Sequence, residues 1–383
     1  MRTLFLCAAL LAGCLIAGSG RALAAASEAA EIKVQGTRPQ LMFACELDAD
    51  KLRALFADPA VMADLKDLNA GISLALMDLS SGRAQVVRRL NEAGIPVVAW
   101  MALPKEQGYY LNADNEAAAA ARFAEFEKWT AENGLHWAGI GLDIEPSLGD
   151  WTTIQQGRKW RLVRTLIGRA FDGKRVSQAR SAYAALIRQM QSRGYTVQTY
   201  QLLFLADERR AHSTVLERLF GVVDVRSDDE VLMVYSSFNH ALDAALVWGY
   251  GRDAHTIAVG STASAGGAEL DARFGPLNRD EFSRDLIVAS HFSHEVGVYS
   301  LEGCVRQGFL PRLKTLDWTR PITLSSATVE KVRRFRQRVQ TMLWIASHIV
   351  YFAVATLAAI VWLALYWRRR RRSRMRRMAI AAG

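Results

Sequence analysis

The stretch WAGIGLDIEP, residues 137–146, restricts the fold more than any other part of the chain. Side chains on a strand alternate in direction, so Asp143 and Glu145 point to one side with Gly139 and Gly141. Ala138, Ile140, Leu142 and Ile144 point to the other side. Pro146 has no amide hydrogen to give to a sheet and ends the strand. A strand that is apolar outside, glycine-lined inside and acidic at its carboxyl end suits a (β/α)8 barrel, whose active sites lie at that end. The two glycines leave space beside the acids. If substrate or water occupies that space the pair can do chemistry; if another side chain fills it, the pair is structural.

The flanking sequence alternates as such a barrel requires. Strand-like runs lie at 41–46, 71–79, 95–103, 195–205, 230–236, 256–261 and 295–302. Helix-like runs lie at 50–69, 83–93, 114–133, 177–193 and 278–290, with another reaching residue 220. Gly94 suits a left-handed cap and Asp114 a helix start. With 137–145 this makes eight strands, so the expected fold is α/β, a TIM-like (β/α)8 barrel over residues 38–310. The polar and basic segment 152–174 follows the fourth strand and is expected to fold over the site.

Both ends of the chain have a different character. Arg2, an apolar run from Leu4 to Ala17, and Ala22-Leu23-Ala24 have the form of a secretory signal peptide over residues 1–24. Leu11-Ala12-Gly13-Cys14 also fits a bacterial lipoprotein box, the alternative outcome being a lipidated Cys14. Residues 341–367 carry no charge apart from His348 and exceed the about 20 apolar residues a bilayer requires, so a transmembrane helix is expected there. Trp344 and Tyr351 toward one end, and Trp362, Tyr366 and Trp367 at the other, suit the two interfacial zones. Arg368 to Arg372, then Arg374, Arg376 and Arg377, assign the tail of residues 368–383 to the cytoplasm. The expected protein is therefore single-pass, with its large domain extracytoplasmic and lipid its partner through 341–367. A second basic group, Lys331, Arg333, Arg334, Arg336 and Arg338, falls in the expected linker of residues 311–340. It is read as a solvated helix end, with anionic head groups as the alternative. Taking both basic groups, Arg2 and Arg21 out of the net charge of +10 leaves −5 for residues 28–330, so the basic balance does not point to nucleic acid.

Cys45 and Cys304 fall at the carboxyl ends of the first and last strands, which are neighbours in a closed barrel. A disulfide there and two separate buried thiols are both open readings. His291 and His294 precede the last strand, at the opposite end of the barrel, so no metal site is expected. Phosphate loops, dinucleotide fingerprints and Gly-x-Ser-x-Gly elbows are missing, and no cofactor is expected.

Residues 138–145 resemble the Asp-x-x-Asp-x-Asp-x-Glu motif of the family 18 glycoside hydrolases, the chitinase-like barrels. Asp143 and Glu145 match, while Ala138 and Gly141 stand where the family has aspartates. Met233-Val234-Tyr235 is similar to the family's Met-x-Tyr-Asp, with Ser236 in place of aspartate. Gly297-Val298-Tyr299-Ser300-Leu301 resembles Gly-Val-x-x-Trp without the tryptophan. The resemblance spans about residues 40–305 and implies a degenerate barrel of that kind, here membrane-anchored. It also implies a substrate-assisted route in which the sugar's 2-acetamido oxygen attacks the anomeric carbon, Tyr235 touching that group.

Cleaving a glycosidic bond requires a carboxylic acid with a raised pKa, and burial in a barrel mouth would provide that for Glu145, with Asp143 as its partner. Glu46, Asp78 and Glu302 are the other acids near strand ends, open as a second carboxylate or as salt bridges and caps. Trp100, Trp151 and Tyr299 offer flat faces for a sugar ring, and Tyr200 and Gln201 are weaker substrate-binding candidates. Two functions follow. One is a membrane-tethered extracytoplasmic glycoside hydrolase acting on an N-acetylated amino-sugar glycan, with Glu145 as general acid. The other is a non-catalytic barrel that binds polysaccharide or an envelope protein partner.

Overall fold

A computed structural model describes residues 31–147, 168–263 and 274–381. Strand β1 (Glu31–Val34) precedes eight parallel strands. These are β2 (Gln40–Cys45), β3 (Gly71–Leu76), β4 (Val97–Met101), β5 (Gly139–Asp143), β6 (Val197–Leu202), β7 (Asp229–Met233), β8 (Thr256–Gly260) and β9 (Glu295–Tyr299). β9 pairs back onto β2, from Gln40↔Glu295 to Ala44↔Tyr299, and the barrel is closed. Alternation divides the side chains as the sequence implies: Ile72, Leu74, Ile140 and Leu142 join the main core between strands and helices. Val231, Met233 and Ala258 form a small inner cluster with Tyr200 and Tyr235 against it.

Several element boundaries depart from expectation for local reasons. The helix expected over 50–69 is two, Ala49–Ala57 and Pro59–Leu68, because Pro59 cannot donate and Asp58 caps the second by accepting from the Ala60 amide at 2.8 Å. Asp114 is not a cap; the helix Glu116–Asn133 starts after Asn115, and Asp114 pairs with Arg175 at 2.5 Å. Gly94, at φ +72°, takes the left-handed conformation expected after the helix Ser81–Glu92. The runs 195–205 and 295–302 each contain a strand followed at once by a helix, Phe204–Arg210 and Leu301–Arg306.

The larger departure lies beyond residue 310. Residues 311–340 are not a linker: β10 (Ile322–Ser325) pairs antiparallel with β1, and the helix Ser326–Ser347 lies along the barrel. Arg336, expected among solvated charges, is buried on that helix. Its guanidinium pairs with Asp207 at 2.8 Å and Asp253 at 2.7 Å, and sits 4.0 Å from the centre of the Tyr250 ring. Gln340 also donates to Asp207, at 2.8 Å. Arg333 and Arg334 pair with Glu330. Only His348 separates this helix from the next, Ile349–Ala381. Within it, the 22 residues Ile349–Arg370 are long and apolar enough to cross a membrane, an 18-residue stretch of them having mean hydropathy 2.3 and no burial against the rest of the chain. The apolar segment thus starts at 349 instead of 341, since Leu343 belongs to the docked helix and is buried. The expected signal region lies outside the described residues, as does most of the segment 152–174.

Removing Arg336 would leave Asp207 and Asp253 without their shared cation, and breaking a buried ion pair from one side costs about 3–5 kcal/mol. Arg336→Met is expected to lower unfolding stability in detergent by about that amount, whereas Arg338→Met, on the exposed side of the same helix, leaves it unchanged.

Candidate active site

The two acids of β5 stay extended beyond the strand because the loop after β4 pairs alongside them. The Leu111 amide donates to the Asp143 carbonyl at 3.0 Å, and the Glu145 amide donates to the Leu111 carbonyl at 3.0 Å. Both carboxyls therefore face the barrel mouth. They line a cavity with about 690 Å³ of space between atoms, part of it open to solvent. Glu46, one residue past β2, and Glu295, the first residue of β9, are the other two carboxyls of the lining. Trp100, Tyr110, Tyr200, Tyr235 and Tyr299 supply its aromatic walls.

The electrostatics follow from crowding acids in a place with little water. Burial pushes the Asp143 carboxyl well above the usual carboxylate range; Glu145 and Glu46 push the same way and the Trp100 indole opposes them. Burial also raises Glu145, with Glu46 adding to the shift. Asp143 Oδ1 and Glu145 Oε2 have no hydrogen-bond partner among the described residues. Buried carboxyl oxygens left open in this way mark a place prepared for something else to bind or react.

Glu46 is differently placed. The Tyr109 hydroxyl donates to Oε1 at 2.5 Å and the Tyr299 hydroxyl to Oε2 at 2.6 Å. Tyr299 in turn stacks on Tyr235, with centroids 5.6 Å apart and planes 23° from parallel. Burial pushes the phenols of Tyr110 and Tyr235 well up, with Glu145 the next cause for Tyr110 and Asp143 for Tyr235. They remain neutral donors over the whole physiological range.

The space beside Gly141 is occupied. A Cβ there would lie 2.4 Å from the Tyr200 hydroxyl oxygen and within 2.7 Å of two carbons of its ring. Tyr200 is fixed by a 2.6 Å hydrogen bond to Ser73 Oγ, across the interior, and by edge-to-face contact with Trp100 at 6.0 Å. At Gly139 the constraint is backbone, since a Cβ on this residue would lie 2.8 Å from the Thr196 carbonyl oxygen. The ring thus lies across the barrel interior beside Gly141 and lines the same cavity as the acids.

The structure brings Glu46, Trp100, Asp143, Glu145, Tyr200, Tyr235 and Tyr299 to one cavity and places Asp78, Gln201 and Glu302 outside its lining. Gln201 is a correction: with Tyr200 facing in, Gln201 must face out, where it donates to Thr199 and accepts from Arg209 at 3.0 Å. Glu302 is a second correction; it is buried in the helix after β9, outside the cavity lining, and its carboxyl is pushed up to about 7, chiefly by burial. Cys45 and Cys304 are free buried thiols and not a disulfide. Cys304 lies 3.5 Å from Thr262 Oγ1, while the Cys45 thiol is raised by burial first and then by Glu302. Asp78 pairs with Arg83 at 2.8 Å, and Trp151 lies outside the described residues. Metal-binding clusters are missing among the described residues, and His291 Nδ1 lies 2.9 Å from the Gln35 carbonyl. Sequence reasoning misses Tyr109 and Tyr110. Their signal is two adjacent aromatics in an otherwise polar loop directly after the strand that carries Trp100.

Because Tyr200 occupies the space beside Gly141, Gly141→Ala is expected to destabilise the fold by about 1–3 kcal/mol through overpacking. Adding Tyr200→Ala should recover part of that loss. A thermal-unfolding double-mutant cycle measures the coupling, and additive effects would contradict the contact.

A scan against protein-family models finds no match, and a search of curated proteins finds none. Among solved structures the chain is similar to the PgaB (BpsB) glycoside hydrolase domain from Bordetella bronchiseptica. The identity is 12% over 73% of this chain and 98% of that one, with a TM-score of 0.43. A D-allulose 3-epimerase from Methylomonas sp. gives 11% identity over 79% and 99% of the two chains, with a TM-score of 0.38. A D-psicose 3-epimerase from Clostridium cellulolyticum H10 gives 12% over 78% and 99%, with a TM-score of 0.39. At this level the likeness adds nothing to the closed barrel already described.

Proposed function

We propose that this chain is a membrane-tethered, extracytoplasmic glycoside hydrolase acting on an N-acetylated amino-sugar glycan, with Glu145 as general acid. The observation that carries the reading is the pair Asp143 and Glu145. Both are buried, each has an open oxygen, and both face an aromatic-walled cavity at the carboxyl end of the barrel. Such walls suit the apolar face of a pyranose ring. In this reading Glu145 gives its proton to the glycosidic oxygen as the bond to the anomeric carbon breaks. The 2-acetamido oxygen forms the new bond to that carbon, held by the Tyr235 hydroxyl and by Asp143. Water then opens the cyclic intermediate and returns a proton to Glu145. The signal-like start and the arginine-rich tail support placing the barrel outside and the tail inside the cytoplasm.

One observation favours the second reading, a barrel that binds glycan without cutting it. Tyr200 fills the space at Gly141, where an aspartate of the resembling motif would stand.

The test is turnover of N-acetylglucosamine oligomers and cell-wall glycan by the full chain in detergent. Glu145→Gln is expected to reduce kcat by about 10²–10⁴-fold, the usual contribution of a general acid. A raised acid is active while protonated, so activity should be present below the raised pKa of Glu145 and fall as pH rises through it. Turnover that survives Glu145→Gln removes the mechanism; tight binding with no turnover in the wild type selects the second reading.

A further inference from the structure

Glu46 is more firmly built into the site than either acid of β5. It follows β2 directly, and the β2–β9 pairing sets Ala44 opposite Tyr299, so the Tyr299 phenol reaches Glu46 from the neighbouring strand. Tyr109 reaches it from the loop after β4, and does so from a backbone conformation at φ +63° that a tyrosine adopts only at a cost of about 1–3 kcal/mol. The loop sustains that conformation: the Leu103 amide donates to the Tyr109 carbonyl at 2.9 Å, and Gly108 precedes it at φ +108°. Burial holds both phenols far above their ordinary range, so they keep their hydrogens and donate, and Glu46 accepts at both oxygens. No cation pairs with Glu46 among the described residues. Arg83, a positive charge that acts on Tyr109, is occupied by Asp78 and by the Ala75 and Leu47 carbonyls.

We propose that Glu46 is a positioning residue of this site: fixed between Tyr109 and Tyr299, it faces Asp143 and Glu145 with negative charge and keeps on Glu145 the proton that the leaving oxygen receives. The inference rests on the hydrolase reading for its use, though not for its physics. The titratable and aromatic groups that line the cavity with the pair are Glu46 after β2, Trp100 from β4, Tyr110 from the loop, Tyr200 from β6, Tyr235 after β7, and Glu295 and Tyr299 from β9. Two carboxyls join the pair in this lining, Glu46 and Glu295, and it is Glu46 that pushes up both Asp143 and Glu145.

Carbon-13 carboxyl NMR of the full chain in detergent, labelled at glutamate, reads the proton directly, with the Glu145 signal identified by its loss in Glu145→Gln. In Glu46→Gln the Glu145 midpoint is expected to fall by about one pH unit, the lower end of what a close charge does. The alkaline limb of kcat/KM should move down equally, with the acid-side plateau unchanged. Tyr109→Phe with Tyr299→Phe, which removes the two donated hydrogens and retains Glu46, should move the midpoint the same way by less. An unmoved midpoint in a Glu46→Gln protein that melts as the wild type does overturns the proposal; if that variant does not fold, an unmoved midpoint in the double tyrosine variant overturns it. A lowered midpoint in a protein that cuts no glycan upholds the role of Glu46 and removes the hydrolase reading.

Discussion

The pairing of β9 with β2 is the contact on which the rest of the molecule depends. Without it the eight strands would form an open sheet with two exposed edges, and closure removes both. The same pairing juxtaposes Glu46 and Tyr299, residues 253 positions apart in the chain, at 2.6 Å. Closure also makes the interior narrow. Glycine at 141 and serine at 73 are what allow one large ring, Tyr200, to lie across the barrel interior. In that narrow interior burial raises both Asp143 and Glu145, and Glu145 and Glu46 push Asp143 up further.

The sequence made the barrel legible because its strands carry a strong period. WAGIGLDIEP alternates cleanly, and the assignment of Ile140 and Leu142 to the outer core and of Asp143 and Glu145 to the interior follows from that period alone. The same rule, applied to β6, excludes Gln201 once Tyr200 is known to face inward; the sequence could not say which of the two did. Tyr109 escaped because its role depends on a loop fold with a positive φ, and such folds leave no periodic trace. Arg336 escaped for a related reason. Within a run of basic residues, nothing local distinguishes the one whose partners, Asp207 and Asp253, lie about a hundred residues away.

The question posed by the two glycines has a divided answer. Their space is filled, by Tyr200 at Gly141 and by the Thr196 carbonyl beside Gly139, as a purely structural strand would have it. Yet the next two inward positions, Asp143 and Glu145, open onto the cavity with oxygens unpartnered, which a structural pair would not leave. The small residues and the acids therefore do different jobs on one strand. Gly141 admits the Tyr200 ring, and the acids face the cavity.

The docked helix Ser326–Ser347 and its near-continuity with Ile349–Ala381 have a mechanical consequence. A domain on a flexible linker sweeps a volume that grows with linker length. In the membrane-tethered reading, a barrel bolted through Arg336 to the foot of this apolar helix has almost no such freedom, because one residue, His348, is all that lies between the two helices. Its mouth would then sit at a set height and tilt over the lipid surface. Encounter with an immobile polymer would depend on diffusion of the whole protein in the plane, so the range of action is a thin layer parallel to the membrane.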